Sequence, residues 1–485
     1  MFRIISFLFI LLLAGVVQAA FAQDFDETRY EQFIAETMDA SSVPGLAVIL
    51  FDGDGVFYEK SFGIADKDKT PVSLDTPFQL GSVSKSFAAL LLVQLAAENQ
   101  LDLDAPVSDF LPDFRPQDKI AGREMTVREI IAHRSGFSTL DGNREQDNTD
   151  RGSDVFEKAV AKLNTVQLQS EPGSVFQYSN ANYMIVAALV ETISGKEFET
   201  VMDERIFTPL NMTNSYVQKF EGDHLKEATG FRQWFGMPRA RAFTSGRVMM
   251  AAGGVVASAY DLALYVRAVS SRDSRIIPPE FADALLLPIE TNGATDSPYG
   301  YGWMFAELEG RDVIYHSGLN GGFSTQVAFF PGTGRGGVVL TNLSGSLQGD
   351  VAGAVLRKGL GVPTGAAKPG VMQYVNLWGL VATVISLLMF AVRSIRQIMS
   401  RPPKFKKRNW FLTLLPTLLL FGLAYGCLVV FPRLNGIELS GIKTFYPDLW
   451  LCLSLSGVFA MIWGVSRLVV HMRYRHLPAH SVETD

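Results

Sequence analysis

Ser82 and Lys85 stand three residues apart in the run Phe78-Gln79-Leu80-Gly81-Ser82-Val83-Ser84-Lys85-Ser86-Phe87. A serine hydroxyl is a poor nucleophile until a base takes its proton. Residues i and i+3 share one face of a helix, so the amine lies one turn from the hydroxyl. A helix N-terminus adds free backbone N–H groups and partial positive charge, which stabilise an oxyanion. Leu90, Leu91, Leu92, Val93 and Leu95 bury the helix that follows and draw Lys85 inward. Burial lowers an amine's pKa and lets it share the proton. The tetrad alone is a weak signal, because a capping serine beside a surface lysine is spelled the same way.

Two further segments carry chemistry-bearing side chains. In Phe176-Gln177-Tyr178-Ser179-Asn180-Ala181-Asn182-Tyr183, a phenol near a cationic lysine ionises more easily and can act as general base. Asn180, two residues on, can bond both the lysine and a substrate amide. A capping asparagine beside a core tyrosine has the same pattern. In His316-Ser317-Gly318, followed by Leu319-Asn320-Gly321-Gly322-Phe323, a small residue and a glycine end a strand. They would let a substrate backbone lie along that strand, though a turn rich in Gly and Asn reads alike.

Other chemistries lack their residues. Of 6 histidines, His471, His476 and His480 fall in the C-terminal tail, and His133, His224 and His316 are isolated. Without His-Glu-x-x-His or paired-histidine spacing, a zinc hydrolase is disfavoured. No Gly-x-Ser-x-Gly elbow or P-loop occurs. No cofactor and no metal are called for.

The elements that must position these groups mix strand and helix. Gly45–Phe51 and Val56–Phe62 read as strands around the hairpin signal Asp52-Gly53-Asp54-Gly55. Phe87–Ala97 is apolar nearly all round, a buried helix. Thr126–Ala132, Tyr183–Ile193 (stopped at Gly195) and Asp261–Ser270 also read as helices. Val313–Tyr315, Thr325–Phe330 and Gly337–Leu343 are strand-like, with Pro331-Gly332-Thr333-Gly334 turning between the last two. Strands at both ends with helices between predict an α/β fold: one antiparallel sheet closed by both ends of the domain, flanked by helices, with an inserted helical region.

Composition places part of the chain in lipid. Of its 485 residues 48% are hydrophobic and 19% charged, against about 25% charged in soluble domains. Met1-Phe2-Arg3, the apolar run Ile4–Val17 and Ala20-Phe21-Ala22 make a signal peptide over 1–22. A catalytic domain over 23–360 and a linker over 361–370, with Pro363 and Pro369, lead to three apolar runs within 371–470: Val371–Val392, Phe411–Pro432 and Leu449–Val470. About 20 such residues span a bilayer. Arg393, Arg396, Arg401, Lys404, Lys406, Lys407 and Arg408 lie between the first two, and Arg473 and Arg475 follow the third. Basic loops stay in the cytoplasm. The count therefore predicts a multi-pass protein of the inner (cytoplasmic) membrane, residues 23–370 on the periplasmic side, and a cytoplasmic tail over 471–485. Residues 371–485 carry 12 basic and 4 acidic side chains, and residues 24–370 carry 30 and 45. So acidic an outer domain argues against nucleic acid as a partner. Both cysteines, Cys427 and Cys452, sit in the apolar tail, so the outer domain has no disulfide framework.

Taken together and in this order, Ser82-x-x-Lys85, Tyr178-x-Asn180 and His316-Ser317-Gly318 resemble the motifs of the penicillin-recognising serine hydrolases. These are class C β-lactamases, D,D-peptidases, D-aminopeptidases and related esterases. Ile131-Ala132-His133-Arg134-Ser135-Gly136-Phe137, Ala252-Gly253-Gly254-Val255-Val256-Ala257-Ser258 and Tyr299-Gly300-Tyr301-Gly302-Trp303 resemble supporting segments of that family. The resemblance covers roughly residues 28–360 and implies a β-lactamase/transpeptidase-like fold with the site between sheet and helices. It implies Ser82 as nucleophile, Lys85 and Tyr178 as the base pair, and Asn180 as substrate ligand. It also implies an oxyanion hole from the N–H groups of Ser82 and Leu319, with His316, Ser317, Gly318, Leu319 and Asn320 on the substrate. Class C β-lactamases have lysine where His316 stands, which turns the expectation toward a peptidase or esterase. A charged His316 would hold a carboxylate and release it as pH rises through its pKa, whereas a neutral one would give one pH-independent hydrogen bond. The three-span tail resembles that of the colibactin-maturing peptidase subgroup, which implies a prodrug-activating peptidase removing an acyl-D-amino-acid group, with Asn320 facing the substrate. A non-catalytic penicillin-binding-like module is the other alternative.

Overall fold

The computed structural model describes residues 25–116, 125–218, 227–241, 246–290, 299–400 and 410–475. The signal-peptide assignment, the basic stretch Arg401–Arg408, His224, His476 and His480 lie outside these residues.

Strands β1 (Gly45–Asp52), β2 (Gly55–Gly63), β3 (Tyr299–Gly300), β4 (Trp303–Leu308), β5 (Arg311–Asn320), β6 (Phe323–Phe329) and β7 (Gly336–Thr341) form one sheet. Its order is β2-β1-β7-β6-β5-β4-β3, and every pairing is antiparallel. The β1–β7 pairing, Leu46 opposite Thr341, closes the sheet from both ends of the domain, as the strand-like runs predict. β1 is apolar without a break because both faces of the sheet are covered. Leu46, Val48 and Leu50 point to one side, packing with Ile34, Val355 and Leu356 of helices α1 (Glu27–Ser41) and α6 (Val351–Gly359). Ala47, Ile49 and Phe51 point to the other, into a larger core shared with α2 (Ser84–Ala97), α4 (Asn180–Ser194) and α5 (Ala259–Ser271). This two-residue alternation is the strand's own period.

The inserted helical region is present, with α2 at its centre. Every residue of α2 from Ser84 to Leu95 is buried. Gly195, in the left-handed conformation, caps α4 where its sequence stop lies. β4 ends its pairing with β5 at Met304 opposite Tyr315, so among the described residues His316–Asn320 has no neighbour strand on that side. The sheet thus opens a free edge against the N-terminal turn of α2.

Among the described residues three helices are long and apolar enough to cross a membrane: Val371–Met399, Trp410–Leu434 and Pro447–Arg473. Each is longer than the apolar run read from the sequence, because the basic or polar residues flanking it continue the helix. We label the first α7 (Val371–Met399) and the last α10 (Pro447–Arg475), joined to the second by a connection carrying α9 (Leu439–Phe445), with α8 (Trp410–Tyr425) opening that second helix.

Candidate active site

Ser82 lies in the single turn Gly81–Val83 that leads into α2, and Lys85 is the second residue of that helix. Gly81 takes φ +55, and a Cβ there would sit 2.5 Å from the Leu319 nitrogen. A Cβ on Gly318 would collide with the Leu80 carbonyl oxygen and lie 3.3 Å from the Ser82 nitrogen. Two glycines therefore let the Ser82 turn and the free edge of β5 meet backbone to backbone, placing the Ser82 and Leu319 amides side by side.

The Lys85 ammonium nitrogen is 3.2 Å from Ser82 Oγ and donates to the Ala252 carbonyl at 2.7 Å. Lys85 is 0% exposed. Burial holds its pKa well below the ordinary amine value, since a charged amine loses its hydration there. Nζ also lies 4.9 Å from the centre of the Tyr178 ring. The Tyr178 hydroxyl is hydrogen-bonded to Ser82, and this favours its ionised form, but burial outweighs the bond and pushes the phenol up. Burial thus makes the amine a readier proton acceptor than an ordinary lysine, whereas it leaves the phenol holding its proton.

Tyr178 sits in extended chain held from both sides. Its carbonyl accepts from Thr139 Oγ1 at 2.7 Å, and the next amide, Ser179 N, donates to His133 Nδ1 at 3.1 Å. His133 Nδ1 is also 2.9 Å from Asn182 Nδ2, and its ring lies 4.3 Å from that of Tyr178. Burial and the Lys85 charge keep His133 well below the usual imidazole pKa, so it stays a neutral acceptor. Sequence reasoning counted His133 as isolated. Its only signal was its place in the segment Ile131–Phe137, and its partners are more than 40 residues away along the chain.

His316 is 1% exposed. Its Nδ1 lies 2.7 Å from the Ser317 carbonyl, so that nitrogen donates, and Nε2, 3.1 Å from the Tyr299 hydroxyl, accepts. Burial, with the nearby Lys85 charge, pushes its pKa down to about 3, against a smaller upward pull from the Ser317 bond. His316 is therefore neutral rather than a cation for a carboxylate, and both its ring nitrogens are engaged within the wall. The alternation of β5 turns Ser317 and Leu319 outward and buries His316, Gly318 and Asn320.

Ser82, Tyr178, His316, Ser317, Gly318 and Leu319 line one cleft of about 620 Å³. Lys85 lies beneath it, against the Ser82 oxygen. The two asparagines stand behind its walls. Asn180 Nδ2 donates to Asn143 Oδ1 at 2.8 Å, while its Oδ1 is buried with no hydrogen-bond partner. Asn320 Nδ2 donates to Gln79 Oε1 at 3.2 Å and to the Gly253 carbonyl at 3.0 Å, beside the Ala252 carbonyl that holds Lys85. Among the described residues no group of acidic, histidine or cysteine side chains could hold a metal ion.

Comparison with known proteins agrees with this arrangement. Residues 30–360 match the family described as Beta-lactamase. Penicillin-binding protein 4 of Amycolatopsis lactamdurans is 28% identical over 340 residues, 66% of this chain and 86% of that protein. Unguisins hydrolase ungD' of Aspergillus campestris is 25% identical over 348 residues, 69% of this chain and 64% of that protein. The chain therefore spans less than two thirds of that hydrolase. The octameric penicillin-binding protein homologue from Pyrococcus abyssi superposes with a TM-score of 0.56 and 28% identity, covering 65% of this chain and 73% of that one. A D-stereospecific amidohydrolase from Streptomyces shares the fold, with a TM-score of 0.54 at 22% identity, over 65% of this chain and 94% of that one. The match over residues 30–360 and the architecture lead to one conclusion: the chain belongs to the beta-lactamase family, within the penicillin-recognising serine hydrolases.

Proposed function

We infer that the chain is a membrane-tethered serine hydrolase of the class C β-lactamase and D-aminopeptidase type, cleaving an amide or ester through an acyl-enzyme. The observation that carries this reading is Ser82 Oγ held 3.2 Å from a buried amine and hydrogen-bonded to the Tyr178 hydroxyl. Lys85 takes the Ser82 proton as Oγ bonds to the carbonyl carbon. The carbonyl oxygen takes up the electron pair between the Ser82 and Leu319 amides, which are worth several kcal/mol to such an oxyanion, about 3 each. The proton passes by way of Tyr178 to the leaving nitrogen or oxygen as that bond breaks. Water then repeats the sequence on the acyl-enzyme and frees Ser82. Asn180 acts through the wall that carries Tyr178, and His316 fixes the start of the substrate strand as a neutral donor.

A peptidase fits this site better than an efficient β-lactamase, because His316 offers no cation for a carboxylate. The acyl-D-amino-acid prodrug reading has the three-span tail in its favour. It lacks a substrate-facing Asn320, whose amide nitrogen is bonded inside the wall. The loop between the second and third spans packs on the catalytic domain: Thr444 Oγ1 donates to Asp147 Oδ1 at 3.0 Å. That contact supports the orientation drawn from the basic residues, with loop and domain together on the periplasmic side.

Turnover of D-aminoacyl anilides, esters and β-lactams by the detergent-solubilised full chain tests the activity. At least one amide or ester should be cleaved by the wild type and by no Ser82→Ala preparation. Reporter fusions test the orientation. A periplasm-dependent reporter after Gly370 should be active, and one within Arg396–Arg408 silent; an active fusion in that loop would overturn the topology.

A further inference from the structure

The membrane tail contributes to the wall of the cleft. Gln373, in the first turn of α7, and Tyr446, between α9 and α10, line the same cleft as Ser82. The connection that carries Tyr446 is fastened to both lobes flanking the cleft. On the helical side Asn143 Nδ2 donates to the Gly436 carbonyl at 2.7 Å, and Arg144 pairs with Glu438 at 3.8 Å. Asn143 is the same residue that receives Asn180, so the Tyr-x-Asn segment is tied to the tail through one side chain. On the sheet side Arg232 donates to the Thr444 carbonyl at 2.8 Å.

Asp448 completes the fastening. It is 0% exposed, and its Oδ2 accepts from Phe235 N at 3.1 Å and from Ser346 Oγ at 2.8 Å. Ser346 belongs to the stretch 345–352 that lines the cleft. Within that stretch Leu347 packs against Leu377 of α7 and Cys452 of α10, and Gln373 Nε2 donates to the Gln348 carbonyl at 3.2 Å. A buried carboxylate needs such partners to offset its lost hydration. The cleft stretch is therefore pinned to the tops of the first and third spans.

We propose that the 435–448 connection is a strap across the active-site cleft, that Tyr446 on it is a specificity-determining residue, and that Asp448 is the positioning residue that sets it. The proposal rests on Ser82 being the acylated residue. Phe176, Met304 and Tyr446, partly exposed, and Leu319, exposed, put apolar and aromatic surface on the wall of the cleft that Ser82 also lines. The substrate class this wall selects is an amide or ester with an apolar group long enough to reach Tyr446. A short substrate would react at Ser82 without meeting the strap.

The test uses the full chain in detergent, with two ester series followed by proton release: p-nitrophenyl esters of lengthening acyl chains, and acetates of lengthening alcohols. In the wild type kcat/KM should rise with length in one series. In Tyr446→Ala the ratio of long to short kcat/KM should fall about tenfold, the scale of losing a small apolar contact. The loss should fall in KM, and Tyr446→Phe should restore it. Asp448→Asn should shift the same ratio the same way, since its effect runs through Tyr446. Covalent labelling of Ser82 by a fluorophosphonate shows that each variant is folded. Unchanged length ratios in both series for a labelled Tyr446→Ala protein would overturn the strap. Absence of Ser82 labelling in the wild type would instead overturn the proposed function beneath it.

Discussion

Lys85 on the helical wall and His316 on the sheet wall are two buried nitrogen bases near the same serine, and burial lowers the pKa of each. Their hydrogen bonds separate them. Lys85 points at Ser82 Oγ, the atom that loses a proton in the proposed mechanism. His316 uses both ring nitrogens on Ser317 and Tyr299, so neither is left for a substrate. Desolvation alone does not make a catalytic base; the lone pair must also face the reacting atom. Lys85→Ala should therefore lower kcat/KM about 100-fold to 10,000-fold for any substrate the wild type turns over. A smaller loss would mean that Tyr178 is the resting base and that the contrast between the walls is misdrawn.

The next largest effect is on stability. His316→Lys places an amine where Tyr299 and the Lys85 charge already press on an imidazole. An uncompensated buried charge costs about 3–5 kcal/mol, so the urea midpoint of this variant should drop sharply at neutral pH. If it folds normally and its turnover of carboxylate-bearing β-lactams rises relative to esters, the pocket around His316 is more open than this contrast allows.

The pH dependence sharpens the same point with a smaller signal. The amine must be neutral to accept the Ser82 proton, so kcat/KM should rise with pH through the lowered pKa of Lys85 and then level off. His316, with a pKa of about 3, stays neutral across the working range. KM for a carboxylate-bearing substrate should then be flat between roughly pH 5 and 8. A KM that climbs across that interval would assign His316 the cationic role.

The parts of the molecule readable in the sequence are those whose cause is local. The Ser82–Lys85 spacing fixes a helical face, and the apolar run after it fixes burial, so the pairing of the two residues is legible in the sequence. The β1–β2 hairpin was legible from Asp52–Gly55, with the end of β1 and both ends of β2 each shifted by one residue. The contacts of His133, Asn143 and Tyr299 were not, because each acts on a segment distant in sequence; His133 and Tyr299 showed only as members of segments that resemble the family, and Asn143 not at all. His316 was legible as part of a strand end, but whether it was charged depended on the Tyr299 hydroxyl reaching its Nε2. In the sequence Asp448 is a single acidic residue just before the third apolar run, Leu449–Val470, with no pattern of its own. Only its docking on the Phe235 and Ser346 segments makes it a buried acceptor. The shared motifs spoke for Asn180 and Asn320 as substrate ligands, yet their amide nitrogens are bonded within the walls, a matter of side-chain direction that spacing does not encode.

The most direct measurement is the intact mass of the full chain after incubation with a fluorophosphonate, a β-lactam and an activated ester. The account predicts a covalent adduct that maps to Ser82 by peptide sequencing, and none in Ser82→Ala under the same conditions. An adduct that persists in Ser82→Ala, or turnover by that variant, would contradict it.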